Sequence, residues 1–152
     1  MEKAYYKSVK DNKEMEIVIT EILNIDEEYR GAIVIPFYGD KFVMTYHPGR
    51  KGWEFPGGKQ EENENLLQCA IRETFEETGA ILSKLNPIGY YRIIKGENSF
   101  KTLVYIGEIA IFEPKPRWSE TDLVKLFDEL PENISFDDDI YKIIIDHIKT
   151  KG

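Results

Sequence analysis

The chain has 152 residues, 41% of them hydrophobic and 32% charged, and a formal net charge of −8 at pH 7. That length suits a single domain, residues 1–152, with enough chain to bury a sizeable core, and the acidic balance disfavours a broad, sequence-independent grip on nucleic acid. No apolar run reaches the ~18 residues of a membrane span, the first residues lack a signal peptide's apolar core, and the single Cys69 excludes an intrachain disulfide, so a cytoplasmic setting and no membrane partner are expected.

Residues 4–10 and 15–25 alternate apolar and polar side chains and read as strands joined by the turn-like DNKE. AIVIPFYG from Ala32 and KFVMTYH from Lys41 form a hairpin about Gly39-Asp40, and the AIVI run, apolar on both faces, marks a central strand. HPGRKGWEFPGGK then reads as a loop bearing Arg50 and Lys51, which are either phosphate contacts or solvent charges; Trp53 and Phe55 alternate around Glu54 as strand packing or as base-stacking rings. His47 before Pro48 reads as a surface residue.

Asn65 followed by Gln68 forms a capping-box pattern, and Gly79 sits where a left-handed cap would close a helix over about 65–78. At 100° per residue Leu67, Ala70, Ile71, Thr74, Phe75 and Thr78 share one face, which is expected to pack on the core, while Glu73, Glu76 and Glu77 share another. Carboxylates at i, i+3 and i+4 repel by about 0.2–0.5 kcal/mol per pair. A solvated acidic face is the plain reading of such a ladder, but the PGGK loop before it points to a magnesium site. Magnesium takes hard oxygen ligands, including phosphate oxygens, and a Gly-Gly turn lets a backbone carbonyl approach with no side chain in the way.

Strands are expected over 85–95 and 100–112 around the turn GENS, where Arg92, Lys95 and Lys101 either reach phosphates or solvate the hairpin. EPKPRWSETD is an irregular loop before a short strand at 123–127, and ELPENIS breaks structure again. The last segment places Ile140, Ile143, Ile144, His147 and Ile148 on a helical stripe, with acids at its start and lysines at its end, as the helix dipole favours.

Gly58, Glu64, Arg72, Glu73, Glu76, Glu77 and Gly79 stand at fixed spacings that arise by chance in roughly one window in 10⁸. They match the Nudix box, G-x5-E-x7-R-E-U-x-E-E-x-G-U with U aliphatic, and the chain resembles Nudix hydrolases. Thr74 and Ala80 depart from the two U positions, which puts the seating of the helix in question and not its chemistry. The resemblance implies an α/β fold, an α/β/α sandwich with a mixed β-sheet, and hydrolysis of a nucleoside diphosphate linked to another group with Mg2+ or Mn2+. It implies Glu73, Glu76, Glu77 and the Gly57 carbonyl as metal ligands and Arg72 as the residue orienting them. Glu64 either braces the loop or is a first-turn acid.

GWEFPGGK at 52–59, SET at 119–121 and ELPENIS at 129–135 resemble the MutT-like branch, especially YtkD-type 8-oxo-dGTP diphosphatases. That likeness implies cleavage of an oxidised nucleoside triphosphate to monophosphate and pyrophosphate, with Glu120 as a further metal carboxylate in preference to Glu108. Arg50 and Lys51, beside the acid helix, and Arg92, near the later hairpin, are candidate substrate contacts by their place in the chain, and the likeness implies Asn133 as the base reader, since an amide presents both donor and acceptor; Asn133 otherwise serves the turn. The expected partner is a small nucleotide, with no stable nucleic-acid complex, on a monomer or homodimer. An RNA 5′-pyrophosphohydrolase and a non-catalytic nucleotide-binding regulator are the alternatives.

Overall fold

The computed structural model describes residues 3–10, 12–20, 22–23, 29–119, 121, 123–136 and 139–151. Glu120 and the first two acids of the DDD run lie outside the described residues. In order the elements are β1 (Lys3–Lys10), β2 (Lys13–Thr20), β3 (Gly31–Tyr38), β4 (Lys41–His47), β5 (Gly52–Glu54), β6 (Gly57–Lys59), α1 (Leu66–Thr78), β7 (Ala80–Lys95), β8 (Asn98–Phe112), β9 (Val124–Phe127) and α2 (Ile140–Lys151). None of the described helices is long and apolar enough to cross a membrane.

All described strands join one mixed sheet, ordered β1-β2-β7-β8-β3-β4-β5, with β6 on β3 and β9 on β4. β3 is the interior strand its composition predicts. It runs parallel to β8 from Gly31 to Phe37, while its other edge is shared by two partners. The first half, Gly31–Ile33, takes β6, and only Phe37 and Tyr38 pair with β4. The sheet therefore splits along β3, and the glycine loop lies in the split.

The two faces of β3 explain its continuous apolar run. Ala32 and Val34 pack with Leu66 and Ala70 of α1, whereas Ile33 and Ile35 pack with Ile140 and Ile144 of α2. One helix covers each face, which is the expected α/β/α sandwich. Side chains of a strand alternate between faces, so a strand covered on both sides has no polar face to show.

Several boundaries differ from those read in the sequence. β2 closes at Thr20, well short of residue 25, with Ile22 exposed beyond it. β7 begins at Ala80, directly after the helix, because bulges between Ile81 and Leu82, Leu82 and Lys84, and Pro87 and Gly89 let one long strand absorb an irregular sequence. The hairpin turn is only Gly96-Glu97, with Gly96 at φ +61°, and β8 resumes at Asn98. The glycine-rich loop contains two three-residue strands: β5 folds back on β4 as a local hairpin, whereas β6 pairs with β3, far from any local pattern.

Helix α1 has the bounds its caps predict, but its buried face is rotated. Asn65 Oδ1 accepts the Gln68 N–H, the Gln68 side chain accepts the Asn65 N–H, and Gly79 closes the helix at φ +77°. Leu66, Cys69, Ala70, Thr74 and Thr78 are the buried positions, while Leu67 and Ile71 are 44% and 48% exposed. The stripe expected on Leu67 and Ile71 is thus displaced, because the helix turns Glu73 and Glu77 toward the glycine loop and swings those two side chains outward. Thr74 seats without penalty: its buried hydroxyl donates to the Ala70 carbonyl at 2.7 Å, and Ala80 is 2% exposed. In α2, Tyr141 and Ile145 join Ile140 and Ile144 in the core, with Ile143, His147 and Ile148 at its edge.

Candidate active site

The loop Phe55–Lys59 is pinned between the sheet and α1. Pro56 accepts the Val34 N–H at 2.9 Å, the Gly57 N–H donates to Glu77 Oε2 at 3.2 Å, and β6 pairs with β3. Both glycines are needed for this approach. A Cβ on Gly57 would fall 2.5 Å from Ile33 Cγ2, and one on Gly58 would fall 2.6 Å from the Glu73 carboxyl carbon. The carboxyl thus rests directly against bare backbone.

Arg72 organises the acids. Its Nη1 donates to Glu73 Oε1 at 2.8 Å and Glu76 Oε2 at 3.3 Å, and Nη2 donates to Glu64 Oε1 at 2.8 Å and to the Lys59 carbonyl at 3.2 Å. Nε reaches Glu64 Oε2 and Glu61 Oε1, both at 3.0 Å. Glu64 also accepts the Glu61 N–H at 2.8 Å, so it braces the loop before the helix. The guanidinium holds the Glu64 carboxyl down to about 2, and the paired carboxylates raise Arg72.

Glu73 and Glu77 both shift the opposite way from Glu64. Burial raises Glu73, against the pull of Arg72. Burial first, and then the charges of Glu73 and Glu54, push Glu77 up to about 9, with the Gly57 N–H opposing. Two carboxyls that resist ionisation side by side are a configuration that a bound cation relieves.

Among the described residues, no three His, Cys, Asp or Glu side chains are gathered as a finished metal cage. Glu73 and Glu76 turn to Arg72, and Glu77 turns to the Gly57 amide. The donor chemistry still fits a hard divalent cation: carboxyl oxygens, a glycine loop that no side chain obstructs, and two acids raised by burial. Magnesium needs only one or two protein carboxylates when water and phosphate supply the rest.

Neighbouring groups hold this arrangement. The Glu77 carbonyl accepts the hydroxyls of Thr45 and Thr121, both at 2.9 Å, which ties the helix end to β4 and to the loop of the SET motif. The thiol of Cys69 is buried, raised to about 12 chiefly by desolvation, and lies 3.6 Å from the Gly58 carbonyl, so it packs as a neutral donor and is no nucleophile.

Two residues escaped the sequence reading. Glu54 is buried on β5, with Arg50 Nη1 at 2.9 Å from both of its carboxyl oxygens, and its charge is felt at Glu77. A charged residue between two aromatics just before a Gly-Gly turn was the signal available. Tyr141 of α2 accepts the Phe55 N–H on its hydroxyl at 3.2 Å, a contact across 86 positions that no local pattern announces.

Beside this loop a groove of about 320 Å³ opens over the sheet face that α2 covers. Ile33 and Ile93 lie on its apolar side, Lys13, Arg30 and Lys59 supply cations, and Gly57 and Gly58 connect it to the acids. Arg50 lies 5.2 Å over the Phe136 ring and Arg30 lies 4.2 Å over the Phe100 ring, two cation–aromatic pairs in one groove.

Of the expected substrate contacts, the structure brings only Arg50 to this groove, where it is already paired with Glu54. Lys51 is exposed in the β4–β5 turn at φ +55°. Arg92 sits on β7 near Tyr29, in the cluster that packs against α1 on the opposite face. Asn133 is exposed, and its backbone carbonyl accepts the Trp53 N–H at 2.9 Å; it does not line the groove. Trp53 packs against Tyr46 and Phe127, as a strand residue would.

A split mixed sheet between two helices, with an arginine-ordered acid helix against a Gly-Gly loop, defines a NUDIX-type domain. The NUDIX domain model matches residues 28–138, and the chain belongs to that family of hydrolases. YtkD of Bacillus subtilis, provisionally named as an 8-oxo-dGTP diphosphatase, is 40% identical over 102 residues, 67% of this chain and 64% of that protein. The m7GpppN-mRNA hydrolase of Saccharomyces cerevisiae is 31% identical over 102 residues, which are 65% of this chain and 10% of that protein. The chain thus spans less than two thirds of these curated relatives. The crystal structure of the Bacillus subtilis pyrophosphohydrolase BsRppH superposes with a TM-score of 0.82 at 29% identity, covering 97% of this chain and 98% of that one.

Proposed function

We propose that this chain hydrolyses nucleoside triphosphates, including oxidised ones such as 8-oxo-dGTP, to nucleoside monophosphate and pyrophosphate with magnesium or manganese. The observation that carries this reading is the Gly57–Gly58 loop seated against the half-buried Glu73 and Glu77 carboxyls at the edge of a groove with an apolar side and cations. Glu73, Glu76, Glu77 and Glu120, with the Gly57 carbonyl, would hold the metal. When bound, it would activate water and neutralise the phosphate oxygens.

The chain's own groups divide the remaining work. Arg72 positions Glu73 and Glu76 and joins them to Glu64 through one guanidinium. The half-buried Glu77 would give up its proton when positive charge arrives, as its raised carboxyl implies. Lys59 at the end of the loop and Arg50 at the groove wall meet phosphate oxygens, Arg50 by exchanging Glu54 for substrate. The similarity to YtkD favours the oxidised-nucleotide substrate.

A second reading, removal of pyrophosphate from the 5′ end of RNA, is favoured by the near-complete superposition on BsRppH and the similarity to an mRNA hydrolase. A nucleotide-binding regulator without catalysis is disfavoured because Glu73, Glu76 and Glu77 are all in place. The test is pyrophosphate release with magnesium over ordinary and oxidised nucleoside triphosphates, nucleotide sugars and triphosphorylated RNA. Preference for free oxidised triphosphates supports the first reading, preference for RNA the second, and no release from any of them refutes both.

A further inference from the structure

We propose that the base of the substrate is seated on the sheet beside the Arg30–Phe100 pair and read by the hydroxyl of Thr102. This deepens the proposed hydrolysis and rests on it. A groove of about 320 Å³ stands at the low end of the ~300–1,000 Å³ of small-ligand pockets, which is room for one nucleoside.

Phe100 and Thr102 are two residues apart on β8, so their side chains share a face, and both line the groove. Phe100 is 38% exposed with the Arg30 guanidinium 4.2 Å above its ring. Arg30 is fixed at its backbone: its N–H donates to the Lys101 carbonyl at 2.8 Å, and its carbonyl accepts the Gln60 N–H at 2.9 Å. The backbone that carries the guanidinium is therefore held relative both to β8 and to the end of the glycine loop. Aromatic and guanidinium planes stack any base, which gives binding but little choice between bases.

Choice requires an uncharged donor or acceptor at the base edge. Among the described residues lining the groove, only Thr102, Tyr91 and Tyr141 have uncharged polar side chains. Tyr141 is buried and its hydroxyl accepts the Phe55 N–H, and Tyr91 makes a further contact within the protein. Thr102 is half-buried, opposite Gly31 on one side and Tyr91 on the other. Its hydroxyl can accept the N–H that oxidation adds at a purine edge, whereas the ordinary base has an acceptor there and is met only if the hydroxyl turns its own proton toward it, so the two forms are held by different hydrogen bonds. Asn133 contributes no atom to this groove.

The test compares Thr102→Val, Phe100→Ala and Asn133→Ala with the wild type. kcat/KM is measured for dGTP and 8-oxo-dGTP, and calorimetry measures binding of the two corresponding monophosphates, which needs no turnover. Thr102→Val is expected to change the oxidised-to-ordinary ratio by about tenfold in both measurements. Phe100→Ala is expected to weaken both nucleotides about equally, by roughly tenfold. An unchanged ratio in a folded, nucleotide-binding Thr102→Val protein overturns the proposal, as does a ratio that moves with Asn133→Ala and not with Thr102→Val. A wild type that binds neither monophosphate also overturns it. Binding that follows Thr102 without any hydrolysis of these triphosphates leaves the base seat standing and refutes the nucleoside-triphosphate reading alone.

Discussion

Replacing Glu77 by glutamine should make the metal-free protein more stable at neutral pH. Burial and the charges of Glu73 and Glu54 raise the folded Glu77 carboxyl to about 9 from an ordinary 4.5. An acid raised on folding contributes fully below its unfolded value and loses that contribution as pH rises toward the folded one. At pH 7 the loss is 2.5 units at 1.36 kcal/mol each, about 3 kcal/mol, carried jointly by the Glu77–Glu73 pair. Glutamine is neutral at every pH; its carbonyl can still accept the Gly57 N–H and its amide can donate to Glu73. For a chain of this length about 3 kcal/mol corresponds to a rise in Tm of roughly 6–12 °C. The assay is thermal unfolding of both proteins in excess chelator from pH 4.5 to 8. The gain should be near zero at pH 4.5 and grow with pH. Saturating magnesium should then raise the wild type, by about 2.7 kcal/mol at a hundred times its Kd, and leave the variant unmoved. A variant no more stable than wild type at pH 8, or one equally stabilised at pH 4.5, would refute the burial argument.

Three further outcomes follow from the same contacts. Gly58→Ala puts a methyl group 2.6 Å from the Glu73 carboxyl, and pyrophosphate release should fall by about 100-fold or more with the circular dichroism spectrum unchanged. Glu64, held down to about 2 by Arg72, contributes stability above pH 4.5 that is lost as pH falls toward 2; urea midpoints measured over that window should slope for the wild type, and the slope should flatten in Glu64→Gln. Glu120→Gln should lower kcat by about 100-fold or more in steady-state assays, while Glu108→Gln, an exposed residue of β8, should stay within about twofold of wild type.

The bounds of α1 were legible because a helix end is encoded within four or five residues: Asn65, Gln68 and Gly79 satisfy the backbone groups that the helix itself leaves unpaired. The same holds for the box spacing, which places acids by helical geometry alone, and for β3, where an unbroken apolar run can exist only under cover on both faces. Which side of α1 is buried was not legible. Leu67 and Ile71 outrank Glu73 and Glu77 in hydrophobicity, yet the helix turns the acids inward, since the Gly57 amide and Arg72 satisfy them there. The burial of Glu54, the reach of Tyr141 to Phe55, and the removal of Arg92 and Asn133 from the groove likewise depend on segments brought together from distant parts of the chain. Local hydrogen bonding carries its own signal in the sequence; the environment of a charge belongs to whatever packs around it, and only the tertiary structure decided that.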